Sequence, residues 1–172
     1  MNVVGLDLSL ASTGVAVTEG TFTYTAPKHP GGLGDPLTDR CVRLWNQICE
    51  DMIGDDVDLV VIEDLVARSQ AAATLGVLHG VVRAALWHRT AVELVPPATL
   101  KKYATGKGNA NKDAVRDAAR DRGGLPAGVT SDECDAWWLR QIGLVLSGDP
   151  AAVQVPKTHQ AALDKLRGGD DA

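Results

Sequence analysis

Leu59-Val60-Val61-Ile62 is an unbroken apolar run that ends directly in two carboxylates, Glu63 and Asp64. A run this short, with no alternation, leaves no face for water, so it fits a strand covered on both sides, as in the middle of a parallel sheet. Helices must then lie on both faces of that sheet. The N-terminus repeats the arrangement: Val3-Val4-Gly5-Leu6 leads into Asp7, and after a small polar turn the chain returns as a second apolar run marked by Gly14. This reads as strand, tight turn, strand. Asp7 and Glu63 hold the same position on their strands, so if the strands are neighbours both carboxylates emerge at one sheet edge. An ionised carboxylate at the end of a buried strand is costly unless it is paired or binds a metal. Asp7 therefore needs partners, and Glu63, Asp132 and Asp135 are the acids on offer.

The remaining elements follow from punctuation and period. Glu19-Gly20 reads as a two-residue turn, and Thr21 to Thr25 alternates like a half-exposed strand, completing an antiparallel hairpin. Asp35-Pro36 is a helix start with a capping carboxylate and proline at the first helical position, and Leu37, Cys41, Leu44, Trp45, Ile48 and Met52 then share one face. A long helical segment runs from about Gln70 to Arg89, with Leu75, Leu78, Val82 and Leu86 on one flank. On it Ala72, Gly76, Gly80 and Ala84 recur every fourth residue, a small-residue stripe that lets another backbone approach closely, in this chain or a second one. Ala91 to Val95 is a fifth strand, stopped by Pro96-Pro97. Short helices are expected over Ala98 to Ala104 and from Asn111, as cap, to Arg122 before Gly123-Gly124. Ser131 is read as the cap of the last main helix, and Pro156 to Arg167 as a short amphipathic one.

Strands first, then strand and helix in alternation, predict an α/β fold: a mixed five-stranded sheet with helices on both faces. The right-handed crossover rule brings the Leu59 strand beside the first, and functional groups in such sheets collect at the carboxyl ends of the strands. At 172 residues the chain fits one domain, expected over residues 1–150, with residues 151–172 as a helical extension and frayed tail. No apolar run is long enough to span a bilayer, so no membrane partner is expected. Met1-Asn2 passes straight into the first strand without a leader, which predicts a cytoplasmic address. Cys41, Cys49 and Cys134 are odd in number and lack metal-ligand spacing, so they read as reduced, mostly buried thiols.

The net charge of −5 argues against electrostatic coating of nucleic acid. Its distribution is uneven. Between Lys101 and Arg122 seven basic residues (Lys101, Lys102, Lys107, Lys112, Arg116, Arg120, Arg122) face three acids (Asp113, Asp117, Asp121), and the rest of the chain is markedly acidic. This suits one anion-facing edge and a separate acidic site. Asp132 and Asp135 are three apart, on one helix face near its start, where the dipole alone favours carboxylates. Two strand-end acids, a helical acid pair and a basic loop together point further. Hard divalent cations such as magnesium take oxygen ligands, and two such ions can activate water and stabilise a leaving oxygen in phosphodiester hydrolysis.

Over residues 2–147 the chain resembles a RuvC-type Holliday junction resolvase of the RNase H-like superfamily, in a short form similar to phage-encoded relatives. The resemblance rests on Gly5-Leu6-Asp7 with Thr13-Gly14, Val61-Ile62-Glu63, Leu75-Gly76 with Gly80, the stretch from Gly106 to Lys112, and Asp132-Glu133-Cys134-Asp135-Ala136. It implies an RNase H-like sheet and Asp7, Glu63, Asp132 and Asp135 as acids that bind Mg2+, two ions per site, with Mn2+ as a substitute. It implies Lys101 and Lys112 near the cleaved strand, Lys112 with a part in catalysis, within a DNA-binding set of Lys101, Lys102, Lys107, Lys112 and Arg116. It also implies a homodimer, with the Ala72, Gly76, Gly80, Ala84 stripe at its interface, cutting symmetric strands of a branched DNA junction. Two departures stand out. Leu8-Ser9 follow the first aspartate where the family has proline and glycine, and Leu65-Val66 follow the strand-end glutamate where the family often carries an aromatic wedge. The missing wedge predicts weak sequence preference and a wider range of branched substrates.

Trp137 and Trp138 read first as core packing, and Arg116 and Arg120 also fit a solvated helix face paired with Asp113 and Asp117. His79 and His88 fit no metal box and receive no role. Three other functions compete. A sugar-kinase or actin-like nucleotide binder needs two such domains and further phosphate loops, more than 172 residues supply. A non-cleaving DNA binder has no use for four acids. An RNase H-like nuclease acting on RNA or RNA/DNA hybrids stays open, because the acids define the chemistry and the surface defines the substrate.

Overall fold

The two apolar runs that end in carboxylates lie side by side. In the computed structural model, which describes residues 1–54, 56–66 and 71–167, β1 (Val3–Asp7) and β4 (Leu59–Glu63) are parallel neighbours with Val3 beside Leu59 and Leu6 beside Ile62. β2 (Thr13–Val17) and β3 (Gly20–Tyr24) add antiparallel strands on one flank, and β5 (Ala91–Val95) a parallel strand on the other. The order is β3-β2-β1-β4-β5, the mixed five-stranded sheet expected from the sequence. The hairpin turn falls one residue earlier than expected, at Thr18-Glu19, because Gly20 already pairs with Val17.

Alternation along the central strands divides the core in two. Val4, Leu6, Val60 and Ile62 pack toward α1 (Pro36–Met52) and α2 (Ala72–Leu86). Val3 and Val61 pack on the other face, with α3 (Pro97–Thr105), α4 (Lys112–Gly123) and α5 (Ser131–Leu146). Helix starts obey the capping rules. The Asp35 carboxylate accepts from Thr38 N at 2.9 Å, with Pro36 following, and the Asn111 side chain accepts from Ala114 N at 2.9 Å. α2 ends at Leu86, short of the expected Arg89, because the chain must reverse into β5; Trp87 turns extended and His88 takes a left-handed φ of 65°. Gln70, the expected start, lies outside the described residues.

α5 is capped by Thr130, not Ser131. The Thr130 hydroxyl accepts from Glu133 N and the Glu133 carboxylate accepts from Thr130 N at 2.9 Å, a capping box that the Thr-x-x-Glu spacing encodes. The C-terminal segment is three short pieces rather than one helix: α6 (Lys157–Gln160), a 3-10 turn (Ala161–Leu163) and α7 (Asp164–Arg167). Val155, Ala162 and Leu163 join the same core cluster as Leu100, Tyr103 and Trp138, so the segment packs on α3 and α5. The expected frayed tail, residues 168–172, lies outside the described residues. Trp138 is buried, donating from Nε1 to Val115 O at 3.1 Å, with Trp137 edge-on to it. The three cysteines are free, two of them buried. Among the described residues no helix is long and apolar enough to cross a membrane.

Candidate functional site

Parallel pairing of β1 and β4 brings Asp7 and Glu63 together, since both follow the Leu6–Ile62 pair. The helical acids arrive by a different device. α5 crosses the sheet so closely that a Cβ on Gly5 would collide with the Ala136 carbonyl, and one on Gly14 with the Asp132 carbonyl. Only glycine permits that approach, and the helix thereby carries Asp132 and Asp135 over the ends of β1 and β2. Its first turn is fastened to β3 by the Thr23 hydroxyl, which donates to Glu133 Oε1 at 2.8 Å. Asp7, Glu63, Asp132 and Asp135 all line one cavity of about 350 Å³, with Lys101, Lys112, Ser9, Val66, Pro97 and Val115.

The acids strain one another. Burial, then repulsion from Glu63, Asp135 and Asp132, pushes the Asp7 carboxyl up to about 8, against the pull of Lys112. Burial foremost, with Asp135 next, pushes Glu63 up to about 7, and Lys101 and Lys112 oppose it. Asp135 rises to about 6, chiefly through burial, with Lys112 the main opposing charge. A divalent cation would relieve this repulsion, and the donor set is all oxygen, which suits magnesium and not a softer metal. Among the described residues no three of the acids, or of any His, Cys, Asp and Glu, converge into a ready ligand shell.

The basic residues divide. Lys101 and Lys112 line the acid cavity, with Lys112 Nζ 3.7 Å from Asp132 Oδ1. Lys102 and Lys107 are exposed and outside its lining. The helical arginines are engaged within the chain: Arg116 pairs with Asp113 at 2.6 Å, Arg120 donates to Ala127 O, and Arg122 to Ala104 O. On the small-residue stripe, a Cβ at Gly76 or Gly80 would meet nothing within 4 Å among the described residues, while Gly80 and Ala84 line a cavity with Trp87, Val92 and Leu94.

Two features escaped the sequence reading. The turn after Asp7, where Leu8-Ser9 replace proline and glycine, is closed by the buried Thr13: Ser9 N donates to its hydroxyl at 3.0 Å, and that hydroxyl donates to Ser9 O at 2.5 Å. The Ser-x-x-x-Thr spacing was the available signal. His79 is 4% exposed, one turn after Leu75 on the buried side of α2, and its Nδ1 has no hydrogen-bond partner among the described residues. Its position beside Leu78 and Val82 was the sign of burial.

A sheet of this order with helices on both faces is the RNase H-like α/β fold. Solved structures narrow the likeness. The chain is similar to Thermus thermophilus RuvC, with a TM-score of 0.62 at 20% identity over 90% of this chain and 99% of that one. It is equally similar to T. thermophilus RuvC in complex with Holliday junction substrate, with a TM-score of 0.63 at 20% identity over 90% and 98% of the two chains. At this identity the likeness establishes the fold. No protein-family model matches the chain, and no curated protein matches it in sequence.

Proposed function

We propose that this chain is a metal-dependent, structure-selective endonuclease that cuts phosphodiester bonds at four-way DNA junctions and acts as a homodimer. The observation that carries the reading is the convergence of Asp7, Glu63, Asp132, Asp135, Lys101 and Lys112 on one cavity at the carboxyl ends of the strands. The RuvC fold supports it, and one of the similar structures holds a Holliday junction.

The four carboxylates would hold the metal, Mg2+ with Mn2+ as substitute. Bound there, it supplies Lewis-acid charge at the phosphate and a more acidic water. The protein's own groups do the rest. Asp7 and Glu63 sit on adjacent strands and fix one side of the metal site, while Asp132 and Asp135 close it from α5. Lys112, near Asp132, is exposed enough to turn toward a phosphate oxygen and offset charge that builds in the transition state. Lys101, on the cavity wall, holds the strand, while Lys102, Lys107 and Arg116 extend the grip along the backbone. A second copy docked on the open Gly76–Gly80 stripe gives two sites, one for each symmetric strand.

The test is cleavage of end-labelled four-way junction, flap, fork, duplex and RNA/DNA hybrid in magnesium and in EDTA. Junction cutting that magnesium supports and EDTA abolishes is the expected result. Cutting of the hybrid alone transfers the reading to the RNA-directed alternative, and no cutting of any substrate overturns it.

A further inference from the structure

Beside the acid cavity lies a second one, of about 240 Å³, and the two share Asp7, Glu63, Val66 and Pro97 as a common wall. Their chemistry differs. Among the described residues the second has no lysine; Leu8, Leu65, Leu75 and Pro97 make it largely apolar, and Asp64 and His79 supply the polar groups beyond the shared acids. His79 is the telling residue. It lines this cavity, is 4% exposed, and has a buried Nδ1 with no hydrogen-bond partner among the described residues. Buried polar atoms are normally paired, so this nitrogen is a hydrogen-bonding group held in reserve at the wall of the cavity.

We propose, on the reading of the acid site as a junction nuclease, that this lobe is a nucleobase pocket: a nucleotide flanking the scissile phosphate leaves the stack and inserts its base between Leu65, Leu75 and Pro97, with its edge toward His79. A nucleotide joins an anionic phosphate to a flat, largely apolar base with hydrogen-bonding edges. The two lobes offer that pair of environments across one wall. With the phosphate held at the acids, the attached base has the adjoining lobe within reach. Enzymes that act on nucleic acid stabilise extruded bases by apolar contact and edge hydrogen bonds, and an open junction lowers the cost of leaving the stack. The pocket also supplies what Leu65 and Val66 lack: they offer no ring to replace a lost stack, whereas an enclosed apolar slot shelters the base itself. It narrows the expected weak sequence preference to a preference at one nucleotide.

The experiment uses four-way junctions carrying 2-aminopurine at one position at a time around the cut, bound to the full chain in calcium. Fluorescence is read per bound junction, with binding followed by gel shift. A several-fold rise at one flanking position in the wild type, suppressed in Leu75→Trp, is the expected result. His79→Phe keeps the ring volume and removes the hydrogen-bonding edge. It is expected to retain the rise while its cleavage rates for the four bases at that position converge to within about twofold, from about tenfold in the wild type. Bound junction with no rise at any position overturns the pocket and leaves the nuclease reading intact. A rise that persists in a folded Leu75→Trp, or a His79→Phe protein with wild-type base discrimination, also overturns it. Absence of both binding and cleavage overturns pocket and nuclease together.

Discussion

Asp7 and Glu63 are two carboxylates on adjacent strand ends, and Glu63 adds to the burial that holds the Asp7 carboxyl well above the usual carboxylate range. If they hold the metal, neutralising either removes a stabiliser of the transition state, and cleavage in magnesium should fall by about 100-fold or more. Junction affinity should survive, because a carboxylate repels phosphate and its loss does not weaken binding. Parallel cleavage and gel-shift assays on Asp7→Asn and Glu63→Gln check this, and near-normal cleavage by either removes that acid from the site. The same strain has a signature in the metal-free protein. The Asp7 carboxyl titrates at 3.8 when unperturbed and at about 8 in the fold. Between those values the unfolded chain binds fewer protons than the native one, so stability is full below the lower value and declines as pH rises toward the higher. Glu63 adds to the loss from 4.5 to about 7. In EDTA the melting temperature should therefore drop between about pH 5 and 8, less so in Asp7→Asn, and magnesium should restore it. A profile that magnesium and Asp7→Asn both leave unchanged would mean that the acids do not strain the fold. The acids were legible in the sequence because a charge ending a buried strand is conspicuous. His79 was not, since a histidine among leucines gives no sign of whether its ring nitrogens find partners.

Glycines beneath α5 and on α2 serve opposite ends. Gly5 and Gly14 are filled positions, where α5 lies backbone to backbone against β1 and β2; a Cβ at Gly76 or Gly80 meets nothing among the described residues. Gly14→Val should cost about 1–3 kcal/mol or more, since overpacking there pushes against main chain rather than a side chain that can turn aside. It should also lower cleavage by lifting Asp132 from Asp7. Denaturant unfolding with a cleavage assay measures both, and wild-type values would deny the close approach. Gly80→Leu should leave the monomer fold intact and weaken the proposed dimer, as read by sedimentation; a dimer of unchanged affinity puts the interface elsewhere. Strand positions and most helix cores could be read from apolar period, and the Asp35-Pro36 start from its capping chemistry. Boundaries decided by tertiary demand could not. α2 stops where the chain must turn into β5, and the stretch from Lys157 to Arg167 breaks into short pieces that follow the surface of α3 and α5.

Basic charge is concentrated between Lys101 and Arg122 in a chain of net charge −5, and binding should reflect that stretch alone. Removing Lys101, Lys107 or Lys112 singly should flatten the salt dependence of junction affinity by about 0.9 in log-log slope for each phosphate that is no longer neutralised. A Lys107→Ala protein with the wild-type slope would leave that charge in solvent. The pairing of β1 with β4 and both covered faces of the sheet were legible from the succession of strands and helices, while the place of β5 beside β4 was not among the expectations. The hold of the C-terminal segment on the core was not, because Val155, Ala162 and Leu163 are too sparse to announce a helix yet suffice to cover Leu100, Tyr103 and Trp138. The glycine positions beneath α5 bear on how such a chain can diverge. Where two elements are separated by side chains, every exchange of a core residue shifts their spacing. Here main chain rests on main chain at Gly5 and Gly14, so the distance between the strand-end acids and the helical acids does not depend on which apolar residues fill the space around them. Selection on a few glycines and carboxylates leaves the rest of the interior free to drift.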